Sequence, residues 1–147
     1  MHCRSGGISH HVVFKVGTFI HVWSFTKDGN ICIEKVFVAV DVGIALDPMN
    51  IEAQVHSSVI FGLCAAMHGA ITVTNGKVDQ TNFHDYMIMR MNQVPKIEVR
   101  IHESESSIYG AGESGTPTAA PALGNAIFAL TGQRIRELPF SKSVKFV

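Results

Sequence analysis

One carboxylate sits among three glycines at residues 110–115, where the chain reads Gly110-Ala111-Gly112-Glu113-Ser114-Gly115. The spacing satisfies G-x-G-x-x-G, a pattern that can cradle a phosphate at a helix N-terminus. The same residues can form a tight turn with no chemistry, with Glu113 in solvent near a helix start. They can also present Glu113 to a substrate, because glycines on both sides let other atoms approach the backbone closely. A carboxylate held by N–H groups at the start of a buried helix stays ionised, which suits a general base. One carboxylate does not by itself name a reaction.

The phosphate reading meets several obstacles. A dinucleotide turn needs a strand directly before the first glycine and a helix opening inside the motif. The last residue of the preceding strand pattern is His102, and "ESESSIY" intervenes with two glutamates of its own. Glu113 would face a pyrophosphate at close range, where two negative charges oppose each other. The earlier strand patterns also read as hairpins, which offer no parallel neighbour for such a unit.

Other chemistry-bearing residues are scattered. The eight histidines make no H-E-x-x-H or similar ligand set, so no metal site is expected. Cys3, Cys32 and Cys64 are widely spaced and odd in number, which indicates neither a zinc knuckle nor a disulfide framework. A reducing, cytoplasmic compartment is the simplest expectation. Lys plus Arg equals Asp plus Glu at 12 each, so no basic footprint for nucleic acid is present. No apolar run reaches the length of a membrane span. The start, "MHCRSGGISHH", lacks the apolar centre of a secretory signal and leads abruptly into a first strand.

The elements that must position Glu113 are legible as patterns. Residues 11–25 and 31–42 are β-branched, aromatic and apolar around "KDGN", which predicts an antiparallel hairpin with at least one well-covered strand. A helix of about five turns follows. Asp47 can cap it and Pro48 suits its first position. Ile51, Val55, Val59, Leu63 and Met67 form one buried stripe, and Gly69 stops it. Asn75-Gly76 marks a short type I′ hairpin. "TNFHDYMIMRMNQVP" predicts an extended start and a helical turn closed by Pro95. Residues 97–102 alternate as a strand with Ile97, Val99 and Ile101 on one face. Residues 103–117 form a polar loop, and a mostly buried helix spans about 118–131, with Pro121 in its first turn and Gly132 at its end. "RIRELPF" suggests a last short strand. The fold class is α+β, with antiparallel hairpins and a mixed sheet packed against two main helices in one domain over residues 1–147.

The run "YGAGESGTPTAAPALGNAIFALTGQRIRELPF" resembles the C-terminal part of the molybdenum-binding subunit of the xanthine oxidase/aldehyde oxidase family, of the isoquinoline 1-oxidoreductase type. "AVDVGIALDP", "IFGLCAAMHGAIT", "GKVDQTNFHDY" and "RMNQVPKIEV" match upstream in the same order, so the resemblance covers roughly residues 6–140. It implies a molybdopterin-type molybdenum cofactor and oxidation of an aldehyde or N-heterocycle. It also implies that Glu113, in the G-x-G-E loop, is the catalytic base. Gln54, seven residues after Asp47 of the "DP" pair, and Gly112 are implied contacts to the pterin. Read from residue type alone, Gln54 is equally well an exposed polar residue beside Ser58 and Phe61. Where the family commonly has proline after the glutamate, this chain has Ser114.

The family subunit is several times longer, and most of its cofactor contacts lie before the matched region. The resemblance therefore implies a chain inactive and cofactor-free alone, with the upstream part of the molybdenum subunit and an iron-sulfur subunit as partners. The alternative is a self-standing, non-catalytic binding module whose exposed apolar faces favour homo-oligomerisation.

Overall fold

The computed structural model describes Val12–Val13 and residues 17–147. The strands are β1 (Val12–Val13), β2 (Thr18–Lys27) and β3 (Asn30–Asp41), followed by helix α1 (Pro48–His68). A small hairpin comes next, β4 (Val73–Thr74) and β5 (Lys77–Val78), and then β6 (Lys96–His102) and helix α2 (Thr116–Thr131). Single 3-10 turns at Met91–Gln93 and Phe140–Lys142 punctuate the chain before β6 and after α2.

Local chemistry accounts for the tight turns. Asp28 and Gly29 have φ of 52° and 79°, and Asn75 and Gly76 have 51° and 78°. Both pairs are left-handed at both positions, as a type I′ hairpin turn requires. At α1 the Asp47 carboxylate accepts from the Asn50 N–H at 3.1 Å, Pro48 opens the helix, and the Gly69 N–H closes it on the Ala65 carbonyl. A cap of this kind stabilises a helix by about 1 kcal/mol. The helix runs 21 residues, between the Pro48 start and the Gly69 stop read from the sequence.

The four-stranded sheet has the order β1-β2-β3-β6. β2 and β3 are antiparallel with a bulge between Trp23 and Ser24, and β3 pairs with β6 in parallel from Lys35↔Lys96 to Asp41↔His102. The two helices lie together on one face. Ile20, Val22, Val36, Val38 and Val40 from the strands meet Val55, Val59 and Leu63 of α1 and Ala119, Leu123 and Ile127 of α2 in one buried cluster. The other face of the sheet leaves Phe19 and Trp23 partly exposed, so β2 is covered on one side only.

The architecture is the expected α+β one, and it corrects several details. The single run over 11–25 is two antiparallel strands, β1 and β2, with Gly17 at φ 63° just ahead of β2. His11 and residues 14–16 lie outside the described residues. The parallel β3–β6 pair makes the sheet mixed, as the fold class anticipates, though which strands pair in parallel was not read from the hairpin patterns. It forms because α1 carries the chain across the sheet between them. α2 starts two residues early, at Thr116, which leaves Pro121 inside the helix rather than in its first turn. The start of "TNFHDY" is a turn, where the Asp85 carboxylate accepts from the Thr81 N–H and hydroxyl, and not an extended segment. "RIRELPF" forms no strand. It leads into the Phe140–Lys142 turn, and the sheet-like contact comes later, in a parallel bridge of Phe146 to Ile31.

Candidate functional site

The loop that carries Glu113 leaves the C-terminal end of β6 beside the C-terminal end of β3. Asp41 organises that corner. Its Oδ1 accepts from the Gly43 N–H and from the Ser104 hydroxyl, each at 2.9 Å. The Gly43 bond, then the Ser104 bond, hold the Asp41 carboxyl below its ordinary range, against a small opposing effect of burial. The Ser104 N–H donates to the Gly43 carbonyl at 3.0 Å and the Tyr109 N–H to the Val42 carbonyl at 3.1 Å. Gly43 is left-handed at φ 72°, and a side chain there would run into the Ser106 carbonyl at 2.8 Å. Glycine is therefore required on two grounds at once.

The other end of the loop is clamped by the helix pair. The Thr116 N–H donates to the Glu113 carbonyl at 3.0 Å, and the Thr116 hydroxyl donates to the Ser58 carbonyl of α1 at 3.1 Å. A Cβ on Gly115 would sit 2.9 Å from Val59 Cγ2 and closer still to the Ser58 hydroxyl. A Cβ on Gly62 would lie 2.6 Å from the Thr116 carbonyl oxygen. Both glycines exist so that α1 and the start of α2 can touch through their backbones.

Between these clamps the loop is open. A Cβ on Gly110 would meet nothing within 4 Å, and one on Gly112 would meet only Gln54 Oε1, at 3.7 Å. Neither residue is left-handed. Within the described residues, then, neither packing nor backbone conformation asks for glycine at these two places.

Glu113 is exposed and lines a cavity of about 650 Å³ with Ser57, Ser58 and Phe61 of α1, Pro117 of α2 and Thr18 of β2. Gln54 is exposed on α1 and lines an adjoining cavity of about 350 Å³ with Leu46, Ile108 and Tyr109. Gly112 borders both. The three residues singled out from sequence thus meet at one place, with Gln54 against Gly112 and Glu113 one residue on. Ser58, grouped with Gln54 in the sequence reading, is buried instead. The helix N–H groups do not hold the Glu113 carboxylate. Its backbone carbonyl is engaged, and among the described residues no hydrogen bond reaches its side chain.

Two residues at this site escaped the sequence reading. Asp41 had a local signal, since "DVG" places an acceptor two residues before a glycine N–H. Thr18 had none. Its side chain is fully buried beside the Glu113 cavity, and among the described residues its hydroxyl has no hydrogen-bond partner. Among the described residues no group of three or more His, Cys, Asp or Glu is placed to hold a metal ion, and no helix is long and apolar enough to cross a membrane.

A family profile described as a molybdopterin cofactor-binding domain matches residues 6–95. The chain belongs to the molybdopterin cofactor-binding domain family. The match takes in Gln54 and both long strands but ends before Gly112 and Glu113. Among relatives in this family's range, the isoquinoline 1-oxidoreductase subunit beta of Brevundimonas diminuta is 38% identical over 113 residues, covering 77% of this chain and 14% of its own length. A membrane-bound aldehyde dehydrogenase (pyrroloquinoline-quinone) of Gluconacetobacter polyoxogenes is 31% identical over 111 residues, with 76% and 14% covered. The chain thus spans about one-seventh of the length of these relatives. The fold of quinoline 2-oxidoreductase from Pseudomonas putida 86 superposes with a TM-score of 0.72 at 23% identity, over 84% of this chain and 17% of that one. At that identity the likeness shows the fold. A xanthine dehydrogenase molybdenum-binding subunit of Escherichia coli O157:H7 is 30% identical over 119 residues, with 76% of this chain and 16% of its own length covered.

Proposed function

We infer that this molybdopterin-domain chain supplies the general-base loop of a molybdenum hydroxylase, with Glu113 as the proton acceptor. The observation that carries the reading is the open middle of the loop. Among the described residues Gly110 and Gly112 face no protein atom that forbids a side chain, yet they lead directly into an exposed carboxylate at the rim of a cavity. Glycine at such places suits a close-fitting external group.

The residues fit a heteroatom-rich cofactor in the adjoining cavity. The Gln54 carboxamide offers a donor and an acceptor, and the Gly112 backbone lies against it. A bound molybdopterin would supply the redox chemistry. The chain's part is to hold its edge at Gln54 and Gly112 and to accept a proton at the Glu113 carboxylate. A general base has to reach the proton it removes, and the exposed Glu113 carboxylate at the cavity rim is open to such an approach.

The remaining length of such a subunit has to supply the rest of the cofactor envelope, so the chain is inactive alone. The natural partners are that remainder and an iron-sulfur subunit, and the oxidised carbon belongs to an aldehyde or an N-heterocycle. Mixing the chain with the remainder of a related molybdenum subunit should restore hydroxylation. Glu113→Gln should lower the restored rate by about 10²–10⁴-fold, the usual contribution of a positioned base. Equal rates would remove the base role. Because one relative is named for a quinone, the reconstituted protein should be analysed for both molybdenum and quinone.

A second reading has its own observation. Phe61, Phe83 and Met91 are 68%, 97% and 92% exposed, which is unusual for large apolar side chains. A homo-oligomerising module would cover them with a second copy. Light scattering separates the two readings. A monomer that gains activity only on mixing supports the enzyme part, and a stable homo-oligomer that never gains activity supports the module.

A further inference from the structure

The sheet has a second face, turned away from the two helices. The strand registers set Phe19, Ala39 and Arg100 in one row across it, and Trp23, Lys35 and Lys96 in another. The residues that alternate with them, such as Ile20, Val22 and Val38, are buried under the helices. On the outer face Phe19 and Trp23 remain 41% and 40% exposed. Parallel pairing usually goes with cover on both faces of a sheet, and β3 pairs with β6 in parallel. The chain spans about one-seventh of the length of its relatives, so the rest of such a subunit is a source for the missing layer.

The charges on this face say what that layer carries. Lys35 and Lys96 both close on Glu98, at 2.7 and 3.2 Å, and Lys35 also lies over the Phe37 ring at 4.5 Å. Arg100 lines a hollow of about 190 Å³ together with Phe19, Phe37 and Ala39. Among the described residues it forms no ion pair. Asp41, the next residue on this side of β3, spends its carboxylate on Gly43 and Ser104. Residues 1–11 and 14–16 hold no Asp or Glu, so they cannot neutralise Arg100 either. A second copy meeting this face with its own would bring the same cations, and Glu98 is already shared between two lysines.

We propose that the outer sheet face seats a segment from the remainder of the molybdenum subunit, which lays apolar side chains on Phe19 and Trp23 and sets a carboxylate on Arg100. The inference rests on the reading of the chain as part of such a subunit, and it adds where the two parts meet.

Trp23 is the single tryptophan of the chain, so fluorotryptophan labels this face alone. The labelled chain is mixed with the isoquinoline 1-oxidoreductase subunit beta of Brevundimonas diminuta, expressed without the 113 residues that match this chain. Light scattering reads the association and the fluorine resonance reads the face. Mixing should shift the resonance and shield it from a soluble nitroxide that broadens it in the free chain. Arg100→Glu should weaken association by roughly three- to tenfold at low salt, and by less as salt screens the pair. Arg100→Lys should keep most of the affinity. Several results would overturn the proposal: a resonance that mixing leaves unchanged, or equal affinity in Arg100→Glu. A resonance already shielded in the free chain would give the face to residues 1–11, and one that shifts with the chain's own concentration would give it to a second copy; either overturns the proposal too. Absence of any association would also remove the subunit reading, whereas association that leaves Trp23 unchanged removes this face alone.

Discussion

Gly62→Ala tests how the glutamate loop is held. Gly62 lies in the middle of α1, fully within its hydrogen-bonded ladder. In an exposed helix, alanine there would stabilise by about 0.8–1 kcal/mol, because glycine loses more backbone entropy on folding. Here the added Cβ would stand 2.6 Å from the Thr116 carbonyl oxygen and 2.9 Å from Ala119 Cβ. The nearest atom is backbone at the start of α2 and cannot rotate aside. Overpacking of this kind costs about 1–3 kcal/mol, and a rigid neighbour puts it in the upper half of that range. The propensity gain offsets part, which leaves about 1–2 kcal/mol of net destabilisation. With an unfolding entropy of about 2.1 cal/mol/K per residue, a chain of 147 residues should lose about 3–6 °C in melting temperature. Calorimetry or circular dichroism on both proteins measures this. The amide resonances of residues 113–118 should shift as α2 moves off α1. A melting temperature equal to or above wild type would refute the close backbone approach, and with it the account of how α1 positions the Glu113 loop.

Gly112→Ala should behave oppositely. Its Cβ meets nothing nearer than 3.7 Å, so stability should stay within about 0.5 kcal/mol, while molybdenum content per reconstituted subunit should fall. The Asp41 corner gives a pH signature. The Gly43 and Ser104 hydrogen bonds lower the folded carboxyl's pKa, so its stabilisation is full above the unfolded value of about 3.9 and is lost as pH falls through the lower folded value. Asp41→Asn should flatten the acid limb of a urea-denaturation series, leaving the part due to Glu98, whose pKa is lowered by hydrogen bonds from Lys35 and Lys96.

Much of the local structure was legible in the sequence because its causes are local. Asp28-Gly29 and Asn75-Gly76 adopt left-handed turns on their own chemistry. Asp47, Pro48 and Gly69 delimit α1 within a few bonds of themselves. Which side chains of β2 and β3 face the helices was not legible, because both runs are apolar on both faces and only the packed structure buries one of them. The start of α2 was misplaced because it depends on Thr116 reaching the Ser58 carbonyl, a residue far back in the chain. The "RIRELPF" run was misread because strand propensity in a short apolar segment has no force without a neighbouring edge to pair with.

The candidate site divides along the same line. Residue type and order alone single out Glu113 among its glycines, and ordered blocks of similarity name the family to which the chain belongs. Two things were decided only in three dimensions. One is that Gln54 lies against Gly112 while Glu113 faces a different cavity. The other is that Gly62 and Gly115 serve helix packing while Gly110 and Gly112 remain open. All four glycines are identical in sequence terms. What separates them is which atoms the rest of the fold brings within reach, and that follows from the parallel pairing of β3 with β6 across α1. Pairing at that separation is set by burying one shared core, which no short stretch of sequence records.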